Sequence, residues 1–295
     1  MNGHPDFDAF FHGPALDLLL QSIDMALEED GPDLTSEALF APDEILQATV
    51  VAKAEGVIAG LPLVALILEG AGPSGYAADI ELLVCEGSRV TSGQELCHLR
   101  GSATLLLKAE RVILNYLTHL SGIATLTASF VQALQGTPTR LLDTRKTLPG
   151  LRYPEKYAVQ IGGGQNHRLN LSQMLMLKDN HIDQAGSITA AVEKLRTAYR
   201  PCPPIEVECR TQDHVREAVQ AKADRIMLDN MDEREIAACL PLIPQGIESE
   251  ISGGVSLEKL PLLGSLGADF ISIGCLTNSA PVLDLSMRLQ LQADA

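Results

Sequence analysis

The chain contains no Trp and only 4% aromatic residues, which argues against a stacking platform for single-stranded nucleic acid. It is also short of cations, with 22 Lys/Arg against 38 Asp/Glu and a formal net charge of -16. Non-specific binding to DNA or anionic lipid is therefore disfavoured, and an anionic ligand must be drawn by a local basic cluster. The six cysteines (Cys85, Cys97, Cys202, Cys209, Cys239, Cys275) form no C-x-x-C pair, and several sit in apolar strand-like runs. Reduced thiols in a cytoplasmic protein are expected, rather than a disulfide framework or a zinc site. Nothing at the N-terminus resembles a signal peptide, since Asp6, Asp8 and Asp17 stand where a basic segment would. The longest apolar run, around Leu61 to Leu68, is too short to span a bilayer. The Gly162-Gly163-Gly164 run is neither a Walker A loop nor G-x-G-x-x-G, and no G-x-S-x-G elbow is present.

What is present is enough apolar residue, 46% of 295, for a sizeable core in two domains or one large barrel. Ala15 to Glu29 carries Leu16, Leu19, Leu20, Ile23 and Leu27 at helical spacing and stops at Asp30-Gly31-Pro32. Ile45 to Ala54 and Gly56 to Ala59 read as strands, and Ile80 to Cys85 with Glu95 to Arg100 as a hairpin. Leu63 to Glu69 is too short to classify. Ala103 to Gln135 is a long helical stretch, interrupted near Ser121-Gly122, and the domain boundary falls within or beside it.

From Arg140 onward, short apolar runs alternate with helical segments. The runs are Arg140 to Asp143, Met174 to Leu177, Ile205 to Cys209, Arg225 to Leu228, Ile247 to Ile251 and Phe270 to Ile273. Most are spaced by roughly twenty to thirty residues, the pitch of βα units. Candidate helices between them are Ile188 to Tyr199, Gln212 to Ala221 and Asp232 to Leu240. Each run ends in polar residues: Asp143-Thr144-Arg145-Lys146, Lys178-Asp179-Asn180, Glu208, Asp229-Asn230, Ser252-Gly253-Gly254 and Ser272-Ile273-Gly274. Parallel barrels carry their active sites at the C-terminal strand ends, so the pattern predicts an α/β barrel with one ligand-binding mouth.

Between Thr144 and Asn180 lie Arg145, Lys146, Arg152, Lys156, Arg168 and Lys178, against only Glu155 and Asp179. Charges at strand ends and beside Gly162-Gly163-Gly164 point to an anion site, for which the planar fork of Arg is suited. Ser252-Gly253-Gly254 and Ser272-Ile273-Gly274 end the last two runs, where barrels often bind phosphate through backbone N–H groups. Glu208 and Asp229 end neighbouring apolar runs. Each needs a partner, which a barrel lysine, a sugar hydroxyl, Mg²⁺ or a cationic transition state would supply.

Several segments resemble the quinolinate phosphoribosyltransferase family. They are DTRKTLPGLRYPEKYAVQIGGGQNHR (Asp143 to Arg168), MLKDNHI (Met176 to Ile182), IEVEC (Ile205 to Cys209), MLDN (Met227 to Asn230), EISGGV (Glu250 to Val255) and SIGCLTNSAP (Ser272 to Pro281). ALEEDGPDLTS (Ala26 to Ser36) and GVIAGLP (Gly56 to Pro62) extend the likeness to nearly the whole chain. The resemblance implies an N-terminal α/β sandwich over residues 1–118 and an incomplete, open α/β barrel over 119–280. A helical tail over 281–295 would return to the first domain.

It also implies transfer of phosphoribose from phosphoribosyl pyrophosphate to quinolinate, with Mg²⁺, giving nicotinate mononucleotide, pyrophosphate and CO₂ for NAD biosynthesis. By the same resemblance, Arg145, His167 and Arg168 hold the quinolinate carboxylates, with Arg111 reaching in from a partner subunit of a homodimer or larger assembly. Lys146 and Lys178 neutralise pyrophosphate and carboxylate charge, and Glu208 and Asp229 bind ribose hydroxyls and stabilise an oxocarbenium-like transition state. Ser252, Gly253, Gly254 and Gly274 cradle a phosphate, and Thr144 and Ser272 are counted among the substrate-binding residues. Lys146, Glu208 and Asp229 are the expected catalytic residues, and no direct metal ligand is assigned. Alternatives are a paralogue associated with molybdate-transport genes, which shares DTRKT and GGG, and nicotinate phosphoribosyltransferase. The EKYAV and KDNHI segments favour the quinolinate enzyme.

Overall fold

Patterned segments become elements in the computed structural model, which describes residues 7–41, 43–72 and 78–291. By internal contacts the chain divides into one unit of Met1–Ala128, Thr147–Gly163 and Leu276–Ala295, and a second of Ser129–Lys146 and Gly164–Cys275.

In the first unit, the helix Pro14–Glu29 starts on a proline and buries Ala15, Leu19, Ile23 and Leu27 along one stripe. Strands β1 (Ile45–Ala52), β2 (Gly56–Val57), β3 (Asp79–Leu82), β4 (Arg89–Val90) and β5 (Glu95–Ser102) follow. β3 pairs antiparallel with β5, as the hairpin reading predicts, but the connection between them detours through β4, which pairs with β2. The unclassified run forms a helix, Leu63–Ala71, burying Leu63, Val64, Ile67 and Leu68.

The long helix runs unbroken over Ala103–Ala133, without the interruption expected at Gly122. That glycine serves packing instead. A Cβ there would lie 2.1 Å from the carbonyl oxygen of Pro281, so only hydrogen lets the Pro281–Val282 backbone pass.

The second unit holds β6 (Arg140–Leu142), β7 (Leu175–Leu177), β8 (Ile205–Cys209), β9 (Arg225–Asp229), β10 (Glu248–Ser252) and β11 (Phe270–Ser272). All pair in parallel, in the order β6-β11-β10-β9-β8-β7. β6 and β7 stand at opposite ends of the order, so the barrel is open. Side-chain caps start its helices: Ser187 accepts from Ala190 N, Thr211 from His214 N, and Asp232 with Glu235 forms a capping box. On β8, Ile205, Val207 and Cys209 are buried on one face, leaving Glu206 and Glu208 on the other.

The last strand, β12 (Leu285–Leu291), corrects the expected helical tail and belongs to the first unit. Leu285, Met287, Leu289 and Leu291 alternate with Ser286, Arg288 and Gln290, which is strand period rather than helix period. β12 pairs antiparallel with β1, giving the sheet order β12-β1-β5-β3. The tail's final residues, 292–295, lie outside the described residues.

Candidate active site

The C-terminal ends of the six parallel strands bring most of the singled-out polar residues into the second unit. After β6, buried Asp143 accepts the His167 backbone N–H at 2.8 Å and the Asn166 side-chain amide at 2.7 Å. Asp143 N also donates to Gln165 O, and Gln165 N to Leu141 O, so the Gln165–Arg168 segment runs alongside β6. Thr144 Oγ1 accepts from Lys146 N at 3.1 Å. A Cβ on Gly274 would stand 2.8 Å from Lys146 Cδ, so glycine after β11 makes room for that lysine.

Lys178, at the end of β7, forms an ion pair with Glu208 of β8. Asp229, at the end of β9, lies 3.5 Å from Arg210 Nε, whose Nη2 is 3.1 Å from Asp179. Both carboxylates thus have the cationic partner that their burial demands, with side chains only 11% and 15% exposed. Arg210 was not singled out from sequence. Its position directly after the apolar run of β8 is the signal that would have found it.

The glycine loop after β10 is tightly built. Gly253 has φ +90° and a Cβ there would meet Asn230 Oδ1 at 2.2 Å. Asn230, itself at φ 54°, donates its amide to Asp229 Oδ1 at 3.1 Å. Ser272 Oγ donates to Ser252 Oγ at 3.0 Å, tying the two serine-bearing strand ends together.

Arg145 and Arg168 lie close enough together for their charges to oppose each other. Burial and the neighbouring charge of Arg145 hold the Arg168 guanidinium below its ordinary range. Arg145 Nε is buried with no hydrogen-bond partner among the described residues. Two partly desolvated guanidiniums side by side, one with an unsatisfied donor, make a site for a carboxylate.

One constellation was missed from sequence. Glu206 and Glu250 sit two residues before Glu208 and Ser252 on their strands, on the same face and fully buried. His167 Nε2 lies 2.9 Å from Glu206 Oε2 and 3.5 Å from Glu250 Oε2. Arg225 reaches Glu250 at 3.2 Å and Glu248 at 2.7 Å, and stacks with Arg140 on the Phe270 ring. Burial pushes Glu206 up to about 7, against the pull of Arg225. Burial and the charge of Glu206 push Glu250 up to about 8. Period-2 alternation in IEVEC placed Glu206 on the face of Glu208, and that was the available signal.

His167 is consequently not placed as expected. Its Nδ1 accepts the Arg168 backbone N–H at 2.8 Å and its Nε2 faces the buried carboxyls, so neither ring nitrogen is offered to a ligand at the mouth. This arrangement also tests the trio as a metal site, since its donor atoms lie within 4.8 Å of one another. Ligation through Nε2 would require the ring proton on Nδ1, which is occupied as an acceptor. The trio does not fit a metal ion. Arg111 lies exposed on the helix Ala103–Ala133 of the first unit.

Comparison with known proteins places these features in context. Residues 33–121 match the model of the quinolinate phosphoribosyl transferase N-terminal domain, and residues 123–288 that of the C-terminal domain. The chain is 42% identical over 270 residues to a protein of Bacillus subtilis (strain 168) named "Probable nicotinate-nucleotide pyrophosphorylase (carboxylating)", covering 91% of this chain and 92% of that one. It is 37% identical to the nicotinate-nucleotide pyrophosphorylase (carboxylating) of Mycobacterium leprae, over 92% of this chain and 98% of that one. Among solved structures, NadC from Streptococcus pyogenes superposes with a TM-score of 0.88 at 37% identity, covering 95% of this chain and 99% of that one.

Proposed function

The chain belongs to the quinolinate phosphoribosyltransferase family, and from that premise we propose how its open barrel performs the family's reaction. The enzyme joins quinolinate to the ribose of phosphoribosyl pyrophosphate and releases pyrophosphate and CO₂, leaving nicotinate mononucleotide for NAD biosynthesis. The observation that carries the site assignment is the Arg145–Arg168 pair, two crowded cations with a buried donor unsatisfied. The two carboxylates of a pyridine dicarboxylate answer it.

In this reading the substrate ring sits with its carboxylates against Arg145 and Arg168, its nitrogen directed at C1 of the ribose. Lys146 and Lys178 offset carboxylate and pyrophosphate charge. Thr144, Ser252, Gly253, Gly254, Ser272 and Gly274 hold phosphate through hydroxyl and backbone N–H groups at the strand ends. As the C1–oxygen bond to pyrophosphate breaks, positive charge grows on the ribose, and Glu208 and Asp229 stabilise it where it appears. The pyridine nitrogen then bonds to C1. Its positive charge withdraws the electron pair left when the adjacent carboxylate departs as CO₂, and a proton replaces that carboxylate on the ring. Mg²⁺ enters as part of the substrate, carried on the pyrophosphate oxygens. A homodimer or larger assembly in the cytoplasm, with Arg111 completing a partner's site, belongs to the same reading.

A coupled assay of quinolinate against nicotinate, following CO₂ release, tests the reaction. Arg145→Ala tests the site. Removing one partner of a desolvated charge pair costs about 2–5 kcal/mol, so kcat/KM for quinolinate should collapse in a protein that still melts normally. Unchanged kcat/KM in the folded variant would end the assignment of Arg145 as a carboxylate ligand.

A further inference from the structure

Barrel interiors of this kind are ordinarily filled by branched apolar side chains. Here, beneath the mouth, stand two fully buried carboxyls, Glu206 and Glu250. Their burial works against them, and none of the mouth chemistry described above uses them. Among the described residues neither Glu206 oxygen has a hydrogen-bond donor of good geometry; Oε2 lies 2.9 Å from His167 Nε2, and the Glu250 carboxyl stands beside it. Arg225, the nearby cation, is shared between Glu250 and Glu248. A buried acid kept at such a cost calls for a use.

The chain of contacts from Glu206 upward leads to the substrate site. Glu206 faces one nitrogen of the His167 ring, and the other accepts the Arg168 backbone N–H at 2.8 Å. The His167 backbone N–H is itself held by Asp143 at 2.8 Å. Arg168 is therefore fixed at its backbone from below, while its guanidinium donates to Met174 O at 2.8 Å. The acceptor role of Nδ1 puts the ring proton on Nε2, facing the carboxyls, so an acid beneath the ring selects the tautomer that holds Arg168.

We propose that Glu206 is a positioning residue for the reaction. Through the His167 ring it fixes the backbone of Arg168 and so aims that guanidinium at the quinolinate carboxylate beside Arg145. Glu250 and Arg225 set the surroundings in which Glu206 does this. The inference rests on the reading of Arg168 as a carboxylate ligand.

The test compares Glu206→Ala, Glu206→Gln and Arg168→Ala in the full chain, by calorimetric titration with quinolinate and by steady-state kinetics in both substrates. Glu206→Ala should raise the Kd and KM for quinolinate by about ten- to a hundredfold, with the KM for phosphoribosyl pyrophosphate moving less than about threefold. Glu206→Gln, whose amide oxygen can face Nε2–H in the same way, should recover most of the affinity. A quinolinate Kd unchanged in Glu206→Ala overturns the proposal, and so does equal weakening of both substrates, which is the mark of a general structural role. Should Glu206→Ala fail to fold, His167→Phe keeps the ring volume and deletes the Nδ1 acceptor. It should weaken quinolinate selectively, and wild-type affinity there would overturn the proposal equally. If Arg168→Ala loses quinolinate binding while Glu206→Ala keeps it, only the positioning role falls. If Arg168→Ala binds normally, the reading of the carboxylate site falls with it.

Discussion

Glu208 and Asp229 meet Lys178 and Arg210 in this structure, which gives each of these largely buried carboxylates a cationic partner. A ribose that becomes cationic between them offers a better partner at the moment it forms, and interactions that strengthen only then raise kcat rather than lower KM. Glu208→Gln and Asp229→Asn keep shape and hydroxyl binding but delete charge. Each should lower kcat by about ten- to a thousandfold, or about 1.4–4 kcal/mol, with KM values moving much less. Normal kcat with raised KM would reduce the pair to holding the ribose.

One layer down, Glu206 and Glu250 have values raised to about 7 and about 8 from an ordinary 4.5. The fold therefore binds their protons more tightly than the unfolded chain does. The stability this contributes is complete below pH 4.5 and is lost as pH rises through 7 to 8. Thermal melts from pH 6 to pH 9 should show Tm falling more steeply in the wild type than in Glu250→Gln, with the variant gaining about 2–4 kcal/mol on it at the alkaline end. Parallel curves would mean that the pair is already ionised in the folded protein.

Among elements, the parallel strands were the most legible. All six were visible as apolar runs ending in polar residues, because a strand covered by helices is apolar on one face and the mouth needs chemistry at its end. The buried acids were not, because Glu206 and Glu250 look in sequence like ordinary strand polar residues, and only the sheet register shows that they and His167 converge. β12 was misjudged as helix although L-S-M-R-L-Q-L alternates cleanly. Gly122 was misjudged as a helix break because a glycine's local cost is visible in sequence, whereas the backbone passing over it is not. Its substitution makes the distinction measurable. In an open helix, Gly→Ala stabilises by about 1 kcal/mol. Here the methyl would meet Pro281 O at 2.1 Å and Val282 Cα at 2.9 Å, and Gly122→Ala should cost about 1–3 kcal/mol in denaturant unfolding. A variant as stable as the wild type would show that the 281–282 segment yields easily.

For the molecule as a whole, a net charge of -16 repels substrates that are themselves anionic, so the local cluster around Arg145 and Arg168 must overcome the long-range field within about a Debye length, roughly 8–10 Å. A further cation from a second subunit would help, and that is the part proposed for Arg111. Mixing Arg111→Ala with Lys146→Ala protein should restore activity, since hybrid assemblies would contain one site with both residues intact. Hybrids that form and stay inactive would place the work of Arg111 within its own subunit or nowhere.

The pairing of β12 with β1 has a consequence for the order in which the protein can be completed on the ribosome. Among the described strands β1 is made first and β12 last, yet β1 lies between β5 and β12 in its sheet. Through most of translation the first unit therefore carries an open strand edge, the kind of surface that recruits other chains. The whole barrel is synthesised before the residues that close that edge emerge, so the unit begun first is the one finished last.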